Sequence, residues 1–287
     1  MTIQEEKRDR FAGSDGKSIF YRRLIPEKPR FRVVVSHGLG EHSGRYGNVA
    51  EALFPIGASL WILDHRGHGR SQGKRGHVSN FGDYVSDLKT MVAMAAAEGK
   101  GKGEKMIPTL VLGHSMGGLI ALSYARQYPE TIDGLVVSSP LLGVEPQPPA
   151  ALQVIVRLLS VLWPTLSLSN KLDPTFISHD SDQVDAYVQS SWVHDRITAR
   201  WFVQCMAEIQ RTVAAPQEIR VPVLMQIAGD DHLVDCQASL SFFNALTVSD
   251  KTLCHYETLY HEIYNEKLPD REKVLADLKK WIGERFV

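Results

Sequence analysis

Apolar residues in this chain gather in short, near-continuous runs separated by longer stretches of helical period. The runs fall at 19–24, 31–36, 59–63, 110–112, 134–137, 223–227 and 253–256. Most lack strict alternation between apolar and polar positions. Such runs predict strands covered on both faces, and hence a mostly parallel sheet. The first, preceded by Gly13-Ser14-Asp15-Gly16, reads as an edge hairpin strand. Helical spacing appears at 84–97, 119–128, 237–246 and 271–286. In the last, Val274, Leu278, Trp281 and Ile282 share one face and predict a C-terminal helix packed on the sheet.

From about 143 to 215 the alternation stops. A polar, proline-rich linker, Glu145-Pro146-Gln147-Pro148-Pro149, leads into a stretch from Ala151 to Trp163 that is apolar on most sides and is stopped by Pro164. Further helix is expected at 182–189 and 197–212. The whole segment reads as a helical cap, residues 143–215, inserted into a core formed by 1–142 and 216–287. It would lie over the carboxyl edge of the sheet, where open α/β sheets bind ligands. The bland alternative is a buried helix pair; a cap can also bury one face and present the other to lipid.

Composition adds limits. With 287 residues, 44% of them hydrophobic, the chain suits one large domain with an insertion or two small ones. Its net charge of -1 and lack of a basic stripe give no nucleic-acid surface. The charged N-terminus has no apolar core of a secretory signal. The apolar stretches are too short to span a bilayer. Cys205, Cys236 and Cys254 lack metal-ligand spacing and read as reduced, buried small residues of a cytoplasmic protein.

The chemistry sits behind the run at 110–112. Gly113-His114-Ser115-Met116-Gly117 follows a short strand and opens a helix at Met116. This is the spelling of a nucleophile elbow, in which a sharp turn lifts a serine out of the fold and side chains at the flanking glycines would crowd it. Such a serine needs a histidine base and an acid downstream. His261, in a loop between the last strand and the C-terminal helix, is the candidate base. The acid comes from Asp230, Asp231 or Asp235. Asp231 is placed to leave the strand tip toward His261, Asp230 stays as the alternative, and Asp235 reads as a helix cap. Two backbone N–H groups would form the oxyanion hole, from Met116 and from Leu39 in the glycine-rich loop Ser36-His37-Gly38-Leu39-Gly40. His37 reads as structural, and Asp64-His65-Arg66-Gly67-His68-Gly69-Arg70-Ser71 as a braced tight turn. No metal or cofactor is called for: metal, phosphate-loop and dinucleotide spacings are missing.

The segments His37-Gly38-Leu39-Gly40-Glu41-His42-Ser43-Gly44-Arg45-Tyr46, 64–71, Gly113 to Gly118 and Tyr260-His261-Glu262 together closely resemble monoacylglycerol lipases and related lysophospholipases. The resemblance implies an α/β-hydrolase fold: a mostly parallel eight-stranded sheet flanked by helices, with an inserted helical cap. It implies Ser115 as nucleophile, Asp231 as acid, His261 as base, and Leu39 and Met116 as the oxyanion hole. It places an apolar, lipid-facing part of the cap at 151–163, with Ile155, Leu159 and Leu162 as candidate substrate and lipid contacts. A cap turn that the family often writes Asp-Pro reads Ser190-Ser191 here. The expected reaction is hydrolysis of monoacylglycerols to glycerol and fatty acid through an acyl-enzyme, by a cytoplasmic protein in transient contact with a lipid surface. A lysophospholipase or general carboxylesterase is the alternative activity, and a homodimer contact the alternative use of the apolar cap. The triad alone does not separate ester from peptide or C–C hydrolysis.

Overall fold

The computed structural model describes residues 3–98, 106–144 and 149–287. The elements, in chain order, are β1 (Ile3–Ala12), β2 (Ser18–Pro26), β3 (Phe31–Ser36), α1 (Gly47–Leu53), β4 (Ala58–Leu63), α2 (Gly82–Ala97), β5 (Thr109–His114), α3 (Met116–Gln127) and β6 (Gly134–Ser138). There follow α4 (Ala150–Leu162), β7 (Ser167–Ser169), α5 (Ser181–Gln189), β8 (Arg196–Thr198), α6 (Ala199–Val213), β9 (Val223–Ala228), α7 (Cys236–Ala245), β10 (Lys251–Tyr256) and α8 (Asp270–Phe286).

Eight strands form one sheet in the order β1-β2-β4-β3-β5-β6-β9-β10. β2 pairs antiparallel with β1 and β4. From β4 to β10 every pairing is parallel. Every residue of β3, β4, β5, β6 and β9 is buried, which is why these strands read as continuous apolar runs. Successive side chains enter opposite cores. Val34, Val111 and Val137 pack with α2 and α3 on one face. Val33, Val35, Leu112 and Val136 pack with α1 and α8 on the other, where the buried residues of α8 are Val274, Leu278, Trp281 and Ile282.

Between β6 and β9 the chain inserts α4, α5, α6 and the small antiparallel pair β7–β8. This is the α/β-hydrolase arrangement with an inserted helical region. Of the linker expected at 145–149, residues 145–148 lie outside the described residues, as do Met1 and Thr2 of the N-terminal segment.

Three expectations need correction, and one helix has no counterpart among them. The edge strand is β1, not the 19–24 run, which is the second strand of the hairpin. β1 carries Glu6, Lys7, Arg8, Asp9 and Arg10 in succession, and Glu6 pairs with Arg22 across the strands at 3.1 Å. A charged edge blunts pairing with other chains, and it leaves no apolar run to find. The helix expected from 197 starts two residues later, because Thr198 ends β8 and caps α6 by accepting the Trp201 N–H. The short helix α1, which buries only Val49 and Leu53, has no clear apolar period in the sequence. Only Cys205 is buried; Cys236 and Cys254 are half-buried.

Candidate active site

β5 delivers its last residue, His114, to the carboxyl edge of the sheet, and α3 begins two residues later. The residue between them, Ser115, has φ 55° and ψ −120°. A non-glycine residue holds that conformation only when its surroundings over-determine it. Here the Ser115 N–H donates to the Ser138 carbonyl at 3.0 Å, and its own carbonyl accepts from Gly118, Leu119 and Leu141. A side chain at Gly113 would collide with the Gly117 carbonyl, and one at Gly117 with the carbonyls of Ser36 and His37. Both glycines are therefore demanded by close backbone approach.

The loop after β3 is fastened from below. The His37 ring is fully buried: its Nδ1 donates to the Gly38 carbonyl at 2.7 Å, and its Nε2 accepts the His65 N–H at 2.9 Å. Burial pushes its pKa down to about 4, so the ring stays neutral as a structural bracket. Asp64 accepts the N–H groups of Ser43 and Arg70, both at 2.7 Å, which ties the two glycine-rich loops together. Glu41 then accepts the Gly38 N–H at 2.5 Å and the Tyr46 hydroxyl at 2.9 Å. Leu39 is thereby held against the cavity that contains Ser115. Met116, as the first residue of α3, carries an N–H without an intrahelical acceptor.

After β9, three carboxylates part company. Asp231 is buried: its Oδ1 accepts the N–H groups of Leu233 and Val234 at 2.8 and 3.0 Å, and its Oδ2 lies 2.6 Å from His261 Nδ1. Asp230 is half exposed and pairs with His232 at 3.1 Å. Asp235 caps α7 through the Ala238 N–H. Burial raises the Asp231 pKa, but the His261 charge and the three hydrogen bonds outweigh it and hold the carboxyl below its ordinary value. Burial lowers that of His261, and the charge and hydrogen bond of Asp231, together with the charges of Glu262 and Glu41, more than reverse this, so the imidazole sits above its ordinary value. The structure brings Ser115, His261 and Leu39 to one cavity of 290 Å³, with Asp231 directly behind His261.

The cavity has two characters. Its polar lining includes Glu41, His114, Tyr187 and Glu262; its apolar lining includes Leu141, Val144, Leu172, Ile177, Trp201 and Phe202. Arg45 lies between the two buried carboxylates: it pairs with Glu262, its Nε is 3.6 Å from Glu41, and it stands 5.0 Å over the Tyr187 ring. Burial, with the like charge of Glu262, pushes Glu41 up to about 7. Burial drives His114 down to about 3. Sequence reasoning gave none of these polar residues a role. The available signal was the Glu41–Arg45 spacing of four next to the expected oxyanion loop.

Ile155, Leu159 and Leu162 are not among the cavity-lining residues. Ile155 and Leu162 are exposed, and Leu159 is partly buried. Ile155 and Leu162 belong to an exposed apolar surface of the inserted region, with Val154, Leu158, Val161 and Trp163. Among the described residues, no group of His, Cys, Asp and Glu could hold a metal ion, and no helix is long and apolar enough to cross a membrane.

A family model described as serine aminopeptidase, S33, matches residues 27–268. The chain belongs to the S33 family of hydrolases. Among relatives, this S33 hydrolase is 33% identical over 274 residues to the monoacylglycerol lipase of Mycolicibacterium smegmatis, covering 95% of each chain. It is similar to the solved monoacylglycerol lipase of Paleococcus ferrophilus, with 31% identity, a TM-score of 0.82, and coverage of 98% of this chain and 100% of that one. It also resembles a soluble variant of the Saccharomyces cerevisiae monoglyceride lipase, with 25% identity, a TM-score of 0.87, and coverage of 100% and 97%.

Proposed function

We propose that this S33 hydrolase cleaves monoacylglycerols to glycerol and free fatty acid, through an acyl-enzyme on Ser115. The observation that carries the reading is the buried Asp231–His261 side-chain pair beside a strained elbow serine, in a cavity lined by both polar and apolar side chains. His261 takes the Ser115 proton as Oγ attacks the ester carbonyl. The N–H groups of Leu39 and Met116 hold the oxyanion, and the amino-terminal end of α3 favours the developing charge. His261 gives the proton to the departing glycerol oxygen. It then takes a proton from water, whose oxygen attacks the acyl carbon; the bond from that carbon to Ser115 Oγ breaks, His261 returns the proton to Oγ, and the fatty acid leaves. Asp231 keeps Nδ1 protonated, so that Nε2 is the basic nitrogen, and stabilises the imidazolium.

The cavity's mixed lining suits the two halves of such an ester. Glu41, Tyr187 and Glu262 can exchange hydrogen bonds with glycerol hydroxyls, while the apolar side chains take one acyl chain. The carboxylates do not resemble an anchor for a peptide α-amino group, since both already face Arg45. The names of the relatives support the same substrate. In this reading residues 143–215 act as a cap, and a cytoplasmic enzyme meets lipid through the exposed face of α4.

Ser115→Ala tests it directly. Turnover is expected to fall at least about a thousandfold with the melting curve retained. A fluorophosphonate should label wild type on Ser115, as mapped by mass spectrometry. An adduct on another serine removes the mechanism. A tenfold or larger preference for lysophosphatidylcholine over monoacylglycerol at equal chain length, about 1.4 kcal/mol, removes the substrate.

A further inference from the structure

A second, smaller cavity of 120 Å³ lies between α4 and α6. Gln153 and Arg157 line it from α4, and Phe202, Met206 and Gln210 from α6. Phe202 also lines the cavity that holds Ser115, together with its neighbour Trp201. One aromatic side chain is thus shared by both spaces. Phe202, Met206 and Gln210 follow one another at intervals of four, so they form a single row along α6. The row leads from the wall of the first cavity at Phe202, past the flexible thioether of Met206, to the polar Gln210. Phe202 is only partly buried, unlike its buried neighbour Trp201. Its ring is held from fewer sides than a core aromatic.

The volumes make this partition matter. A 290 Å³ cavity is at the lower end for a small-molecule site, whose usual range is roughly 300–1,000 Å³. It must hold the reacting ester, the polar half of the substrate and the acyl chain. A long chain that follows the cavity wall toward α6 meets the Phe202 ring. Beyond that ring, the second cavity offers Val203, Met206 and Ala207, which suit methylene groups rather than a charged head.

We propose that Phe202 sets the acyl-chain length this site accepts, and that the cavity between α4 and α6 receives the distal end of chains that pass it. The proposal rests on reading the first cavity as an acyl-ester site. With the ring in place, a chain that reaches it must displace it or stop short. Shrinking the side chain joins the two spaces; enlarging it closes the first cavity sooner.

The test is the ratio of kcat/KM for stearoyl over octanoyl esters, measured with monoacylglycerols and again with p-nitrophenyl esters. Phe202→Ala should raise the ratio about tenfold or more, and Phe202→Trp should lower it by a similar factor, since each methylene gained or lost in an apolar pocket changes discrimination about tenfold or more. Met206→Trp lines only the second cavity and should cancel the gain when combined with Phe202→Ala. If the alanine variant does not fold, Phe202→Leu carries the same expected rise. A ratio unmoved by the smaller and larger side chains alike, or a gain that survives Met206→Trp, overturns the proposal. If wild type cleaves the p-nitrophenyl series but no monoacylglycerol, the proposed substrate fails, while the ratio still decides the role of Phe202.

Discussion

The buried carboxylate of Glu266 accepts both the backbone N–H and the ring Nδ1 of His179, each at 2.9 Å. The same carboxylate accepts the Tyr260 N–H at 2.8 Å, and the Tyr260 ring stacks on His179 with centroids 3.6 Å apart. One residue beyond His261, the Glu262 N–H donates to the Ile177 carbonyl at 2.8 Å. The loop that carries His261 is therefore hung on the inserted region from both sides, and Glu266 is a positioning residue for it. Glu266→Gln replaces a charged acceptor of several N–H groups, a loss of about 1.5–3 kcal/mol per charged hydrogen bond. The expected outcome is a fall in kcat of roughly ten- to a hundredfold with KM changed by less than about threefold. Loss through KM alone would place Glu266 in substrate binding instead.

The pH profile follows from His261. The base must be neutral to take the Ser115 proton, and Asp231 favours its charged form. Activity should therefore fall as pH drops through a midpoint above the ordinary histidine value of about 6.5. Glu41, pushed up to about 7 in the same cavity, titrates nearby; Glu41→Gln removes that second group and a charge that helps raise His261, so the His261 limb should persist with its midpoint moved down. Asp231→Asn removes the stabilising charge, so the midpoint should move down, and turnover should fall by up to about 10⁴-fold. Kinetics across pH for all three proteins check this.

Asp230→Asn is the matching control. Its carboxyl is half exposed and meets His232, not His261. Turnover should stay within about threefold of wild type. A larger loss than from Asp231→Asn would reassign the acid.

α4 supplies a test of lipid contact. Leu158 and Leu162 are 58% and 72% exposed, whereas Leu159 is partly buried. Burying each leucine in lipid stabilises docking by about 1.5–3 kcal/mol, so Leu158→Glu with Leu162→Glu should cut vesicle binding at least about tenfold in a flotation assay. Equal flotation of wild type and variant would remove α4 as the lipid face, and a size that falls with dilution would assign that face to a dimer.

Stability offers a further check at Arg66. Its Nε and Nη2 both lie 2.8 Å from the fully buried carboxylate of Asp87. Arg66→Leu leaves that carboxylate without its partner and should cost about 3–5 kcal/mol, read from denaturant unfolding. Adding Asp87→Leu should recover most of the loss.

The interior strands, the elbow and the amphipathic face of α8 were legible because each is written in adjacent residues. A buried parallel strand must be apolar at nearly every position, a strained turn needs its flanking glycines, and a packed helix repeats its apolar positions every three or four residues. Other features depend on what folding brings alongside. β1 has no apolar signature, and only its pairing with β2 makes it a strand. Asp230 and Asp231 are neighbours of the same type, so only the course of the backbone after β9 decides which faces His261. Apolarity marked Ile155, Leu159 and Leu162 without saying which way they face; packing against α6 turns much of α4 outward. Glu41 with Glu262, Glu266 with His179, and Phe202 between two cavities join segments far apart in the chain. Burial, charge coupling and shared walls are properties of such contacts, and no local pattern encodes them.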